Sequence, residues 1–309
     1  MTLRHLKIFL AICDTGSTTA ASEQLHIAQP TVSIALRELE AHYGVPMFER
    51  YAKRLMVTQA GRELYQYARH LIALYDETED AMKSMCSAGT LRVGSSITIG
   101  TCFLPAYVRQ FQSLCPQTKI LAVVENTDTI EHLILENKID IGLVEGQVHS
   151  PFIVVRPYCQ DCLVMVCSPR HPFAQHQSVR PEELAAETLL LRERGSAVRE
   201  TFETLMAARG LKVQPTWQSV STQALVQAVR ADLGVSVLPW HLVREEVEKG
   251  LLSAVPVLEV DFTRYFSIIY HKNKFHSRPF RSFIEMCESM ASGDSTEIHP
   301  EHMPRQVTV

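Results

Sequence analysis

The segment STTAASEQLHIAQPTVSIALRELE, running from Ser17 to Glu40, decides how the front of this chain folds. Ser17 carries a hydroxyl that can accept from an unpaired helical N–H, so a helix is predicted over 18–25 with Ala21 and Leu25 on its inner face. His26-Ile27-Ala28 then leave room for only a tight turn. Pro30 suits the first turn of a following helix, where its missing N–H is harmless, and Gly44 with Pro46 ends that helix. Upstream, Leu6, Phe9, Leu10 and Cys13 recur at helical spacing, which predicts a first helix over 2–14 that stops at Gly16. Two short helices joined by a tight turn form the helix-turn-helix signature.

The free face of the third helix sets its chemistry. At about 100° per residue, Val32, Ala35, Leu36 and Leu39 fall on one side and make the core face, leaving Pro30, Ser33, Ile34 and Arg37 opposite. A short polar face with one cation at the start of a second helix fits a DNA major groove. Gln29 and Ser33 can reach base edges beside Thr31, Ile34 can touch a thymine methyl, and Arg37 can reach guanine or phosphate. The other reading is an ordinary helical pair without a DNA role. Against it stands the stretch from Phe48 to Thr58, two short extended segments around Tyr51-Ala52-Lys53-Arg54 that read as a β-hairpin wing. Arg50, Lys53 and Arg54 would then lie along phosphates or in a minor groove.

Charge supports this division of labour. The 309-residue chain has a net charge of -4, but residues 1–62 hold seven Lys/Arg against five Asp/Glu. Between Arg50 and Arg62 there are four cations and no acid, so the positive field is concentrated in one stretch. A hydrophobic share of 46% with 13 Gly and 15 Pro excludes collagen-like and wholly disordered classes, and the length predicts two or three domains. No apolar run reaches the roughly 18 residues of a membrane helix, and the run Ile8 to Cys13 is too short for a secretory signal. A cytoplasmic protein with no membrane partner and with its eight cysteines reduced is expected.

The runs Ser17-Thr18-Thr19-Ala20-Ala21, Gln29-Pro30-Thr31-Val32-Ser33, Leu36-Arg37-Glu38-Leu39-Glu40, Tyr43 to Arg50 and Leu55 to Gly61 closely resemble the winged helix-turn-helix domain of LysR-type transcriptional regulators. Order, spacing and residue identity agree together; Ile34 stands where that family often has a polar or basic residue. The resemblance implies a double-stranded DNA operator as partner, with RNA polymerase as an additional candidate.

After this domain, 1–58, a single long helix is expected over 59–88, because from Gln59 to Met85 there is no proline and glycine appears only at Gly61. Leu64, Leu71, Thr78 and Met85 recur every seven residues, with Tyr67, Leu74 and Ala81 three further on. That is a coiled-coil seam needing a second helix, or else a face packed on its own domain. A dimer would place two recognition helices on one duplex. The family resemblance implies that this helix dimerises and that dimers pair into homotetramers.

Beyond Gly89 strands and helices alternate, which predicts a parallel sheet covered on both faces: strand 91–93, helix 100–114, strand 119–124, helix 129–137 and strand 139–144. A second such unit runs from the strand Cys162 to Cys167 through helices 198–208 and 222–231 to a strand over 234–238. The strand 265–270 and helix 279–290 return to the first. Two crossings leave a cleft and a hinge between one lobe, 90–161 with 267–290, and another, 162–266. A disordered tail is expected over 291–309. The whole reads as an α+β multidomain chain.

Four turns enter helices from strands or extended segments: Ser95-Ser96-Ile97-Thr98, Asn126-Thr127, Gly195-Ser196 and Ser221-Thr222. If they converge they offer donors to a small anion; if not, they are simple N-caps. Arg192, Arg194 and Arg199 surround one of them. This region is similar to the LysR-type effector domain, itself similar in fold to periplasmic binding proteins. Thr98-Ile99-Gly100, Val144-Glu145-Gly146 and Leu191 to Ser196 are similar to the branch regulating sulfur assimilation and carbon fixation. That likeness implies a small oxyanion or organic acid as effector, with no other cofactor.

Cys159 and Cys162 resemble half of a zinc or redox site, but no second pair completes it, and Cys162 and Cys167 read as core residues. No nucleophile elbow, phosphate loop or metalloprotease motif suggests an enzyme. The expectation is a ligand-responsive transcription factor; the other reading is a solute-binding module whose N-terminal domain serves assembly.

Overall fold

The computed structural model describes residues 1–51, 54–83 and 89–293. The chain divides into two compact units, a small one of residues 1–87 with Leu135–Asn137 and a large one made of the rest.

In the small unit, helix α1 (Leu3–Thr15) is capped by Thr2, whose hydroxyl accepts from the His5 N–H, and closes on Gly16 at φ 66°. Helix α2 (Thr18–Gln24) starts from Ser17, which accepts from the Ala20 N–H as an N-cap should. Helix α3 (Gln29–Tyr43) carries Pro30 in its first turn and ends at Gly44. Strands β1 (Phe48–Tyr51) and β2 (Arg54–Val57) pair antiparallel as the wing. Lys53, expected at its tip, lies outside the described residues. Helix α4 (Gln59–Lys83) follows, so Met85 also lies outside them.

These helices share one core. Leu6, Phe9, Ile12, Ala21, Val32, Leu39 and Ala68 are buried together, with Leu64, Tyr65 and Ile72 packed against them. Glu40 Oε1 accepts from the Met47 and Phe48 N–H groups, which sets the turn into the wing. Gly61 is required where it stands: a Cβ there would lie 2.4 Å from the Met47 carbonyl oxygen.

The large unit begins with strand β3 (Thr90–Ser95), helices α5 (Ile97–Cys102) and α6 (Leu104–Leu114), strand β4 (Lys119–Val124), helix α7 (Thr127–Leu135) and strand β5 (Ile141–Glu145). Strand β6 (Ile153–Cys167) leads to helix α8 (Pro181–Ala186), strand β7 (Leu189–Arg192), helix α9 (Ala197–Ala207), strand β8 (Pro215–Ser219) and helix α10 (Thr222–Arg230). Strand β9 (Ser236–Pro239), helix α11 (Trp240–Glu248), strands β10 (Ser253–Val255) and β11 (Thr263–His271) and helix α12 (Arg278–Gly293) complete it. The tail expected beyond lies outside the described residues.

Two findings differ from the sequence expectation. The helix expected over 100–114 is two helices broken at Phe103, because Pro105 cannot continue a helix through its first turn and must begin a new one. The sheet is mixed rather than parallel: β3 pairs parallel with β4 and β5, whereas β11 runs antiparallel to both β5 and β6. The reason is β6, a single 15-residue strand that passes from one lobe to the other without an intervening helix. Its first part pairs with β11 and its end with β9 and β10. Pro157 has no N–H to give the ladder, and a register shift opposite Phe266/Ser267 passes over Tyr158 beside it.

Each lobe has its own core. Leu91, Val93, Phe111, Ile141, Phe266, Phe280 and Phe283 fill the first. Leu163, Leu189, Phe202 and Val237, with Leu225, Val229 and Trp240 on the other face of the sheet, fill the second.

Asp140 ties β3 to the segment that follows β11. Its carboxylate lies 2.7 Å from Arg92 Nη2 and 2.8 Å from Lys274 Nζ. Burial alone would raise its pKa, but the Arg92 hydrogen bonds and the Lys274 charge outweigh it and hold the pKa below the ordinary value. A depressed carboxylate adds stability that is present above the unfolded pKa and lost as pH falls through the folded one. Asp140→Asn is therefore expected to cost on the order of 2 kcal/mol at pH 7. In urea titrations across pH, the gap to wild type should close below about pH 4; a gap constant down to acid pH would show that the charge contributes nothing.

Candidate DNA-reading face and effector cleft

Helix α3 buries Val32, Ala35 and Leu39 and half-buries Leu36. This leaves Gln29, Pro30, Ile34 and Arg37 exposed, with Thr31 and Ser33 half-buried beside them. Ile34 is 50% exposed, a large apolar surface on an otherwise polar face. Gln29 Nε2 donates to Ser33 Oγ at 2.9 Å and to Thr18 Oγ1 at 3.2 Å, which ties the start of α3 to α2. Arg37 has no hydrogen bond or ion pair among the described residues, so its guanidinium is available to an outside acceptor. Across the wing, Arg50 stands opposite Leu55 and Arg54 opposite Tyr51.

The face of α4 divides. Leu64, half-buried, joins the core of its own unit, a departure from the seam reading. Tyr67, Leu71, Leu74 and Tyr75 are exposed at 58%, 44%, 36% and 42%.

In the large unit, the four expected turns fall into separate groups. Ser95, Ser96 and Thr98 are fully buried. Ser96 Oγ and Thr98 Oγ1 both donate to the Glu145 carboxylate, the latter at 2.9 Å, while Ser95 Oγ donates to the Ser96 carbonyl. Thr127 Oγ1 donates to the Glu145 carbonyl. The acceptor between these hydroxyls is thus the protein's own carboxylate. Behind it lies Arg264, whose Nη2 is 3.8 Å from Glu145 Oε1 and 2.6 Å from Asp161 Oδ2. His241 Nε2 stands 3.7 Å from Asp161 Oδ1, and burial, the largest cause, lowers its pKa despite that carboxylate. Burial, then the Asp161 and Glu145 charges, push the neighbouring Cys102 thiol up to about 11.

A second group gathers at the carboxyl end of β7. Arg192, only 2% exposed, donates from Nη1 to Thr222 Oγ1 at 3.1 Å, and from Nε and Nη2 to the Glu193 carboxylate at 2.9 and 3.0 Å. Asn126, from the first lobe, donates to Glu193 Oε1 at 3.3 Å. The lobes meet closely here: the Asp128 N–H donates to the Gly195 carbonyl, and Gly195 at φ 84° has no room to spare beside Asn126 and Asp128. Ser221 departs from the group as an ordinary N-cap, its hydroxyl accepting from the Ala224 N–H. Arg194 and Ser196 line a cavity of about 850 Å³ with Thr127, Arg199, Glu200 and Lys212; Ser96, Thr98 and Thr222 do not line it.

Sequence reasoning thus did not place Glu145 or Glu193 in the site, and named Arg192 only as one of the cations around this turn. A single arginine ending the buried run Leu189-Leu190-Leu191 was the available signal for the last. Cys159 and Cys162 are buried, and burial, the largest cause, pushes the Cys162 thiol up to about 12. Among the described residues no cluster of His, Cys, Asp and Glu could hold a metal ion. None of their helices is long and apolar enough to cross a membrane.

Residues 3–62 match the family described as "Bacterial regulatory helix-turn-helix protein, lysR family", and residues 87–292 match "LysR substrate binding domain". The chain belongs to the LysR family. As a LysR-type regulator it is a DNA-binding transcription factor whose two-lobed domain serves a small-molecule effector. It is 35% identical over 288 residues to the HTH-type transcriptional regulator YeiE of Escherichia coli (strain K12), covering 93% of this chain and 97% of YeiE. It is 30% identical over 294 residues to the RuBisCO operon transcriptional regulator of Allochromatium vinosum, covering 94% and 97%. The regulatory domain of CcmR from Synechocystis PCC6803, solved in complex with 2-PG, shares the fold at a TM-score of 0.62 and 22% identity, covering 67% of this chain and 99% of that one.

Proposed function

We propose that this LysR-type regulator reads duplex DNA as a dimer, with Gln29, Ser33, Ile34 and Arg37 directed at base edges and the wing residues Arg50, Lys53 and Arg54 at phosphates. The dimer forms through the linker helix, 59–88, and two dimers assemble into a tetramer in the cytoplasm, where RNA polymerase is a further partner. The effector is a small oxyanion or organic acid taken up where the lobes 90–161 with 267–290 and 162–266 meet, near Asn126 and Thr222. Binding shifts the balance between lobe arrangements, which requires unequal affinity for them. The complex of the CcmR regulatory domain with 2-PG supports a small ligand in this fold.

The observation that carries the DNA reading is the exposed Arg37, without a hydrogen bond or ion pair among the described residues, beside the exposed Ile34. Arg37→Ala tests it on an operator selected by the full chain from a random DNA pool. If Arg37 reads a base, the loss should be about 1–3 kcal/mol with relaxed preference at one position. If it touches phosphate, all sequences should weaken alike and the salt slope fall by about 1. Unchanged affinity at every salt concentration would remove α3 from the interface.

A further inference from the structure

The anion reading leaves open what holds the ligand, and the pairing at the end of β7 supplies an answer. Arg192 is the largest fully buried side chain among the described residues, and its charge has one counterion, the carboxylate of the adjacent residue Glu193. The two are unequally placed: the side chain of Arg192 is 1% exposed, that of Glu193 17%. The cation is therefore fixed in the protein, whereas the anion lies at the edge of the pair with a route to solvent. Thr222 holds one guanidinium nitrogen from the α10 end, and Arg199 Nη1 donates to the Arg192 carbonyl, which secures the strand end. Arg199 itself is committed to Glu203 and Gln218, so it is not the free cation of this turn.

We infer that Glu193 is a resident competitor for Arg192, and that a small oxyanion enters by displacing the Glu193 carboxylate from the guanidinium. This rests on the proposal that the lobe junction takes an anionic effector. The exchange is electrostatically balanced. A ligand presenting two coplanar oxygens, as a carboxylate, sulfate or phosphate does, reproduces the paired bonds from Nε and Nη2, and Glu193 leaves for water. A neutral solute cannot do this, since it would leave a buried cation unpaired. The displacement also reaches the other lobe. Asn126 donates to the same Glu193 oxygen that Nη2 holds, so a ligand at Arg192 removes that interlobe bond or takes it over. That gives the ligand different contacts in two lobe arrangements, which any switch requires.

Calorimetric titration and thermal melting of the full chain with sulfate, inorganic phosphate and acetate, against chloride at matched ionic strength, test this. Wild type should bind at least one of the three beyond the chloride control. Glu193→Ala and Glu193→Gln should bind it tighter, by about tenfold or more for Ala, the scale of a charge-assisted hydrogen bond. Arg192→Gln should abolish binding. Arg192→Lys, which keeps the charge but not the paired geometry, should weaken it by about tenfold. The lysine variant keeps the test informative if the glutamine variant does not fold. Equal affinity in wild type and both Glu193 variants would overturn the competitor while leaving the anion reading in place. No binding by wild type or by either Glu193 variant would overturn both.

Discussion

Replacing Arg264 by methionine is expected to destabilise the effector domain by about 3–5 kcal/mol, the scale for removing one member of a buried ion pair. Asp161 is fully buried and Glu145 nearly so, and Arg264 lies against both. His241 is a poor substitute, because burial, the largest cause, lowers the imidazole pKa and works against a charged ring beside Asp161. Glu145 retains the hydroxyls of Ser96 and Thr98, whereas Asp161 loses the donor at Nε, 2.7 Å away. The main loss should therefore come from Asp161. Urea unfolding is readable from Trp217 and Trp240, both in this domain. The double variant Arg264→Met/Asp161→Asn should recover much of the loss, a coupling that a merely steric effect of methionine would not give. A loss under about 1 kcal/mol would mean that the carboxylates are satisfied without the guanidinium.

This cluster also marks where sequence reading stops. The helix-turn-helix was legible because its information is local: a cap at Ser17, a proline at position 30 and glycines at 16 and 44 each act within one turn of helix. The hydroxyls at Ser96 and Thr98 were equally legible as donors at a strand end. Their acceptor was not, because Glu145 lies 49 residues from Ser96 and reaches it only through the pairing of β5 with β3. An anion site read from donors alone does not reveal that the chain supplies its own anion. The antiparallel return of β11 was hidden for a related reason, since alternation of strands and helices reports order along the chain and not direction across a sheet.

The apolar stripe left on α4 leads to the second large effect. Changing Leu71 and Leu74 together to glutamate should dissociate the proposed dimer and lower operator affinity by about 10²- to 10⁴-fold, the advantage that linking two binding heads confers. Both side chains are exposed in the single chain and neither belongs to the small unit's core, to which this helix contributes Leu64, Tyr65, Ala68 and Ile72. Folding should survive, and circular dichroism with an unaltered melt of the effector domain would verify it. Sedimentation then reports the mass of the assembly and gel shift the affinity for a symmetric operator. A half-site operator should show little difference between variant and wild type, because one head reads it in either case. If the variant instead stays dimeric and holds the full operator as tightly as before, the exposed stripe is not the seam, and the two reading heads must be joined through another part of the chain.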